Sequence, residues 1–145
     1  MNRIITFATA LLLTLSSFAR SADSISGDIK TSFKRNFRTA QLMSTETRET
    51  FTRLTFKMNG VIMFAYYSRS GDLLAVTRNI LSSQLPINLL LSLKKDYSAY
   101  WITELFEFNG NDDSCYYVSL ESADAKVTLR SIGDSWEVYT STKKQ

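Results

Sequence analysis

Residues Thr52 to Tyr67 read TRLTFKMNGVIMFAYY. Thr52, Leu54, Phe56 and Met58 alternate with Arg53, Thr55 and Lys57, the period of two that sets successive side chains on opposite faces of a strand. Asn59-Gly60 follows, and both central residues of a two-residue type I′ turn need positive φ, which Asn and Gly tolerate. Val61 to Tyr67 is therefore the returning strand. In that register Met58 stands opposite Val61, Phe56 opposite Met63 and Leu54 opposite Ala65, so these six share the core face. The other face carries Arg53, Thr55 and Lys57 beside Ile62, Phe64 and Tyr66, cations mixed with large apolar groups.

Outward from this hairpin, Ser70-Gly71 starts another turn and Leu73 to Arg78 makes the next strand, while Thr-rich Leu42 to Arg48 reads as a strand before it. Further upstream, Ile29, Phe33, Phe37 and Ala40 recur at steps of three or four, which predicts a helix from Asp28 to Thr39. Downstream, Ser83-Gln84-Leu85-Pro86 opens a second helix, with Ser83 as its cap and Pro86 in its first turn. Leu89, Leu90, Leu93 and Tyr97 form that helix's apolar stripe. Strands follow at Tyr100 to Phe108, Cys115 to Glu121, Ala125 to Arg130 and Trp136 to Ser141. Among these, Val118, Leu120, Val127, Leu129, Trp136 and Val138 are expected to point inward, and Tyr117, Lys126, Thr128, Arg130, Glu137 and Tyr139 outward.

The letters echo as well. TSFKRNF from Thr31 resembles LSLKKDY from Leu91, and FKMNG from Phe56 resembles FEFNG from Phe106, each of the latter followed by a Tyr-Tyr pair, Tyr66-Tyr67 and Tyr116-Tyr117. A tandem duplication and chance likeness of short amphipathic segments both account for this. The expected class is α+β, with helices packed on one face of antiparallel sheet and two helix-plus-meander units in tandem, residues 26–80 and 81–142.

Composition narrows the chemistry. Of 145 residues, none is histidine and one, Cys115, is cysteine. That removes the imidazole base, the usual metal-ligating ring, any internal disulfide and thiolate-rich metal sites. The net charge of +3 is too small and too scattered for a nucleic-acid surface, so no nucleic-acid partner is expected. Met1 to Ala19 has Arg3, an apolar run from Ile4 to Leu15 and small residues at Ser17 and Ala19, the pattern of a secretory signal peptide cleaved after Ala19. The apolar run is shorter than the ~20 residues a membrane-spanning helix needs, so no stable membrane insertion is expected after cleavage. Residues 20–145 then form a single periplasmic or secreted domain.

The run from Asn59 to Phe108, NGVIMFAYYSRSGDLLAVTRNILSSQLPINLLLSLKKDYSAYWITELFEF, resembles the PepSY-like secreted bacterial proteins, also described as beta-lactamase-inhibitor-like. An aromatic strand, a Gly-Asp turn, a hydrophobic strand, Leu85-Pro86 opening a helix that ends near Tyr97, and a strand beginning Tyr100-Trp101-Ile102 carry the likeness. With the later Tyr-Tyr strand and Trp136-Glu137-Val138-Tyr139 it spans most of the mature chain. The resemblance implies a beta-lactamase-inhibitor-protein-like fold with an open sheet surface, and neither catalytic residues nor a cofactor.

The expected function is therefore a non-catalytic, inhibitor-like binding module that recognises an unknown protein or peptide through the exposed sheet face. Arg53, Phe64, Tyr66, Tyr117, Arg130 and Tyr139 are its candidate contacts, because rigid rings and forked donors supply most interface anchors. The alternative is a carrier of a small apolar ligand between helix and sheet. A carboxylate hydrolase would have to use Glu104, Glu107, Asp112 and Asp113. Glu104 and Glu107 alternate onto opposite faces, however, and the two aspartates sit in a turn, so no enzyme activity is expected. Asn109 to Asp113 lacks the ligand spacing of an EF-hand, and no metal is expected.

Overall fold

Two amphipathic stripes and eight alternating runs become two helices and eight strands. The computed structural model describes residues 25–144, running α1 (Gly27–Asn36), β1 (Gln41–Thr47), β2 (Thr52–Met58), β3 (Val61–Tyr67) and β4 (Leu73–Asn79). A 3-10 turn at Ser82–Gln84 then leads into α2 (Ile87–Asp96), β5 (Trp101–Gly110), β6 (Ser114–Glu121), β7 (Ala125–Ile132) and β8 (Ser135–Lys143). The expected leader, Met1 to Ala19, lies outside the described residues. All eight strands form one antiparallel sheet in the order β1 to β8, so β1 and β8 are its edges.

The central hairpin has the expected register. Asn59 and Gly60 take φ of 51° and 81°, both positive as the turn requires. Met58 faces Val61, Phe56 faces Met63 and Leu54 faces Ala65. Leu54, Phe56 and Ala65 are fully buried, whereas Val61, at the turn, is exposed. Following the pleat through the paired residues Ala65 and Val76, then Arg78 and Glu107, puts both apolar clusters on the same side of the sheet. The first joins Ile29 and Phe33 of α1 to Leu54, Phe56, Ala65 and Tyr67; the second joins Leu85 and Leu93 to Leu105, Val118, Leu120, Val127 and Leu129.

Several expectations need correction. The first helix stops at Asn36 rather than Thr39. Phe37 leaves helical geometry at φ −132° while its N–H still reaches the Phe33 carbonyl, and its ring lies 4.6 Å from that of Phe56. Ser83 does not cap the second helix. A residue before proline is pushed out of the α region, Leu85 is accordingly extended with ψ 148°, and Pro86 becomes the N-cap itself rather than part of the first turn. Val138 does not reach the core: it pairs with Leu129 on the helix side, yet it belongs to the edge strand and is 59% exposed.

The letter echo is also out of step with the strands. FKMNG lies in β2, the second strand after α1, whereas FEFNG lies in β5, the first strand after α2. The helical segments lie 60 residues apart and the strand segments 50, and the difference corresponds to one additional strand and turn, β1.

Candidate binding surface

The helices cover one side of the sheet; strand alternation decides what stands on the other. From β2 and β3 it receives Arg53, Thr55, Phe64 and Tyr66, and from β4 the directly paired Ala75 and Thr77. β5 adds Glu104, Phe106 and Phe108, β6 adds Cys115, Tyr117 and Ser119, and β7 adds Thr128 and Arg130. Each Tyr-Tyr pair splits across the sheet. Tyr67 is fully buried and Tyr116 packs on the second core, while Tyr66 and Tyr117 stand on the open face.

All six residues singled out from sequence are brought to this face. Tyr139 arrives through an irregularity in pairing: Thr128 pairs with Thr140 and Leu129 with Val138, leaving Tyr139 between them, with its ring 5.4 Å from Tyr117 and nearly perpendicular to it. Tyr117 is the centre of the cluster, stacked on Phe106 at 5.2 Å and edge-on to Phe108 at 6.1 Å. Burial, followed by the neighbouring Cys115, pushes the Tyr117 phenol above its ordinary pKa, so it stays a neutral hydroxyl at physiological pH.

The rings form the walls of a trough. Its cavity of about 460 Å³ is lined by Tyr66, Phe106, Phe108, Tyr117 and Tyr139, with Glu104 as the one charged lining residue. Ala75 and Thr77 lie at its floor, 7% exposed each although they belong to the uncovered face. They are small side chains overshadowed by larger neighbours. A second hollow of about 160 Å³, walled by Arg53 and Phe64, shares Tyr66, Thr77, Glu104 and Phe106 with the first and extends it toward β2.

Both arginines are already engaged. Arg53 pairs with Glu46 and lies over the Phe64 ring at 5.6 Å. Arg130 pairs with Asp113; hydrogen bonds to Cys115 and Asp113 hold its guanidinium above even the usual arginine range. In each, Nε is buried without a hydrogen-bond partner among the described residues. Arg130 stands opposite Tyr117 in the ladder but is not part of the trough lining.

The carboxylates do not assemble into an acid-base pair. Glu104 is on the open face and Glu107 on the helix side, where Arg78 binds it at 2.5 Å. Asp113 is occupied by Arg130, and its carbonyl accepts the Gly110 N–H at 2.7 Å, closing the loop. Among the described residues no group of three or more His, Cys, Asp or Glu is placed to hold a metal ion.

Sequence reasoning missed the floor and one wall of the trough. Phe106 and Phe108 carried a usable signal, since they alternate with Leu105 and must oppose it. Ala75 and Thr77 carried none, because small residues look alike whether they are packed or overshadowed.

An antiparallel sheet packed with helices on one side and left open on the other by the described residues defines a general class of fold, and solved structures place the chain within it. It superposes on a DUF2874 family protein from Bacteroides uniformis with a TM-score of 0.72 and 14% identity, over 82% of this chain and 89% of that one. A BLIP-like protein from Bacteroides fragilis gives 0.68 and 13%, over 81% and 85%. A candidate periplasmic protein from Bacteroides eggerthii gives 0.72 and 10%, over 81% and 88%. At such identities the likeness is one of fold. No family model and no curated protein matches the sequence. No helix among the described residues is long and apolar enough to cross a membrane.

Proposed function

We propose that this chain is a non-catalytic binding module of the periplasm or the secreted fraction, which takes a protein or peptide segment into the trough of its open sheet face. The observation that carries this reading is the trough itself: five rings standing over the small floor residues Ala75 and Thr77 on the side that no helix among the described residues covers. Rigid aromatics give large contact area for little lost side-chain entropy, and they recur as interface anchors. The hollows together reach from β2 to β8, six strand spacings or roughly 29 Å, which suits an extended polypeptide better than a metabolite. The periplasmic assignment is supported by the Bacteroides eggerthii neighbour and by the leader pattern of Met1 to Ala19.

The BLIP-like neighbour supports an inhibitor-like use of the face, and the same reading takes the chain as PepSY-like. The order helix, four strands, helix, four strands supports tandem units within it. The test is a selection of displayed peptides on the purified protein. Enriched peptides should bind the parent and lose about thirtyfold in affinity with Tyr66→Ala or Tyr117→Ala, the effect of removing an anchor worth ~2 kcal/mol. Peptides indifferent to both substitutions would show that the trough is not the recognition surface.

A second reading, a carrier for a small apolar ligand, has one observation in its favour. A cleft of about 300 Å³ opens between α2 and the sheet, lined mainly by Leu90, Leu93, Tyr97, Tyr100, Ile102 and Leu120. Native mass spectrometry of protein from its own host would reveal a retained ligand, and a bare polypeptide mass would count against this use.

A further inference from the structure

The two ends of the open face are built alike. At one, Glu46 holds Arg53 over the Phe64 ring. At the other, Glu121 holds Lys144 at 2.6 Å, and that ammonium lies 5.3 Å from the centre of the Trp101 ring. Each is a carboxylate, a cation and a ring, in which the quadrupole of the ring and the negative charge attract the same ion. Between them, the trough supplies the carboxylate of Glu104 and the rings of Tyr66, Phe106 and Tyr117. It lacks the third member, for among the described residues no cation forms an ion pair with Glu104, and Arg53 and Arg130 are taken by Glu46 and Asp113.

We propose that the trough receives a lysine or arginine side chain of the bound polypeptide, its charge set against Glu104 and its stem over the trough floor, against the stacked Phe106 and Tyr117 rings and the Tyr66 ring. This rests on the reading of the trough as a polypeptide-binding surface. An acidic side chain would meet the Glu104 charge with no cation among the trough's lining residues to offset it. A purely apolar one would leave that carboxylate facing a contact that offers it no donor. A basic chain satisfies both features, since its aliphatic stem covers the rings while its head reaches the carboxylate. Arginine should bind more tightly than lysine, because its flat guanidinium stacks on aromatic faces and is less strongly hydrated.

The experiment is an NMR titration of the protein with N-acetylarginine N-methylamide, N-acetyllysine N-methylamide, N-acetylglutamine N-methylamide and spermidine. The arginine probe should shift the amides of Thr77, Phe106 and Tyr117 saturably, with the lysine probe weaker. Glu104→Gln should weaken the arginine probe about tenfold. Raising salt from about 0.05 M to about 0.5 M should weaken it further in the parent than in that variant. Glu104 is exposed, so the isosteric change leaves the fold intact, which a melting curve of the variant verifies. The proposal is overturned if the arginine and glutamine probes shift the same amides equally, if no saturable shift occurs, or if Glu104→Gln leaves the arginine affinity unchanged. Spermidine binding as tightly as the arginine probe would assign the site to free small cations and overturn the polypeptide source. Selected peptides that need Tyr66 and Tyr117 but contain no basic residue would overturn this inference alone. Peptides indifferent to those tyrosines would remove the reading beneath it.

Discussion

The two halves of the molecule fasten a ten-residue helix to the same side of one sheet by different chemistry. Around α1 the contact is a set of rings: Phe33, Phe37 and Phe56 have mutual centroid distances of 5.5, 5.3 and 4.6 Å, with Phe33 edge-on to Phe56. Around α2 the fully buried part is branched aliphatics, Leu85, Leu93, Leu105, Val118, Leu120, Val127 and Leu129, while the rings of Tyr97, Tyr100, Tyr116 and Trp136 stand only partly buried at its margin. The polar ties differ too. Asn36 of α1 donates to the Tyr67 hydroxyl at a long 3.4 Å, whereas the Trp136 indole N–H reaches the Leu89 carbonyl of α2 at 2.9 Å. Ring contacts have preferred angles, so the first half depends on shape, while methyl groups interdigitate in many ways, so the second depends chiefly on volume.

The sharpest way to break that contrast is to keep bulk and change shape. Phe56→Ala should cost about 3 to 5 kcal/mol in urea denaturation and Leu129→Ala about 2 to 5, since both side chains are fully buried and leave cavities. Phe56→Leu should then cost clearly more than Leu129→Met, which is expected to stay below about 1.5 kcal/mol. Equal costs for the two conservative changes would erase the distinction.

Next in size is the backbone contact that seats α1. Gly71 has φ 87°, and a Cβ there would lie 2.9 Å from the Asp28 Cβ and 3.0 Å from the Asp28 carbonyl carbon. Gly71→Ala should cost about 1 to 3 kcal/mol, with the loss read as a lower denaturation midpoint at unchanged m-value. The tie of α2 is smaller: Trp136→Phe removes one hydrogen bond and should cost about 1 kcal/mol.

On the open face the effects fall further. Tyr139, 62% exposed, should tolerate alanine within about 0.5 kcal/mol, whereas Tyr117→Ala, losing its partners Phe106, Phe108 and Tyr139, should cost about 1 to 2. Melting curves of the two variants side by side measure this difference. The least effect concerns Glu121. Its hydrogen bond to Lys144 holds the carboxyl below the ordinary value of 4.5. The folded form is thus the weaker proton binder, and the contribution is present above pH 4.5 and lost as pH falls through the lowered pKa. Glu121→Gln should flatten that acid limb in a pH series of melts, with its small loss of stability seen near neutral pH and vanishing below the lowered pKa.

The sequence discloses the sheet better than the ends of its elements. Asn59-Gly60 and the alternation around it set a register that the fold keeps residue for residue. Phe37 has helical spacing yet ends the helix, because periodicity cannot distinguish a ring on a helix face from one that has swung onto a sheet. Val138 has the inward parity without the burial, because alternation reports the side of a strand and not whether another element covers it. The same gap governs the binding surface. Tyr66, Tyr117 and Tyr139 could be placed by parity alone, but the trough between them depends on β4 lying beside β5, a pairing across α2 that no local pattern encodes.

The strand order has a kinetic consequence. Every strand hydrogen-bonds to its neighbour in the chain, and only the β4 to β5 step spans a helix. Such a sheet has low contact order for its size, so little loop entropy is spent before each pairing is rewarded. Assembly should proceed faster than in a Greek-key sandwich of equal strand number. A chain emerging in N-to-C order can close β1 through β4 before β5 appears, leaving the docking of β5 on β4 as the one joint between two locally formed sheets.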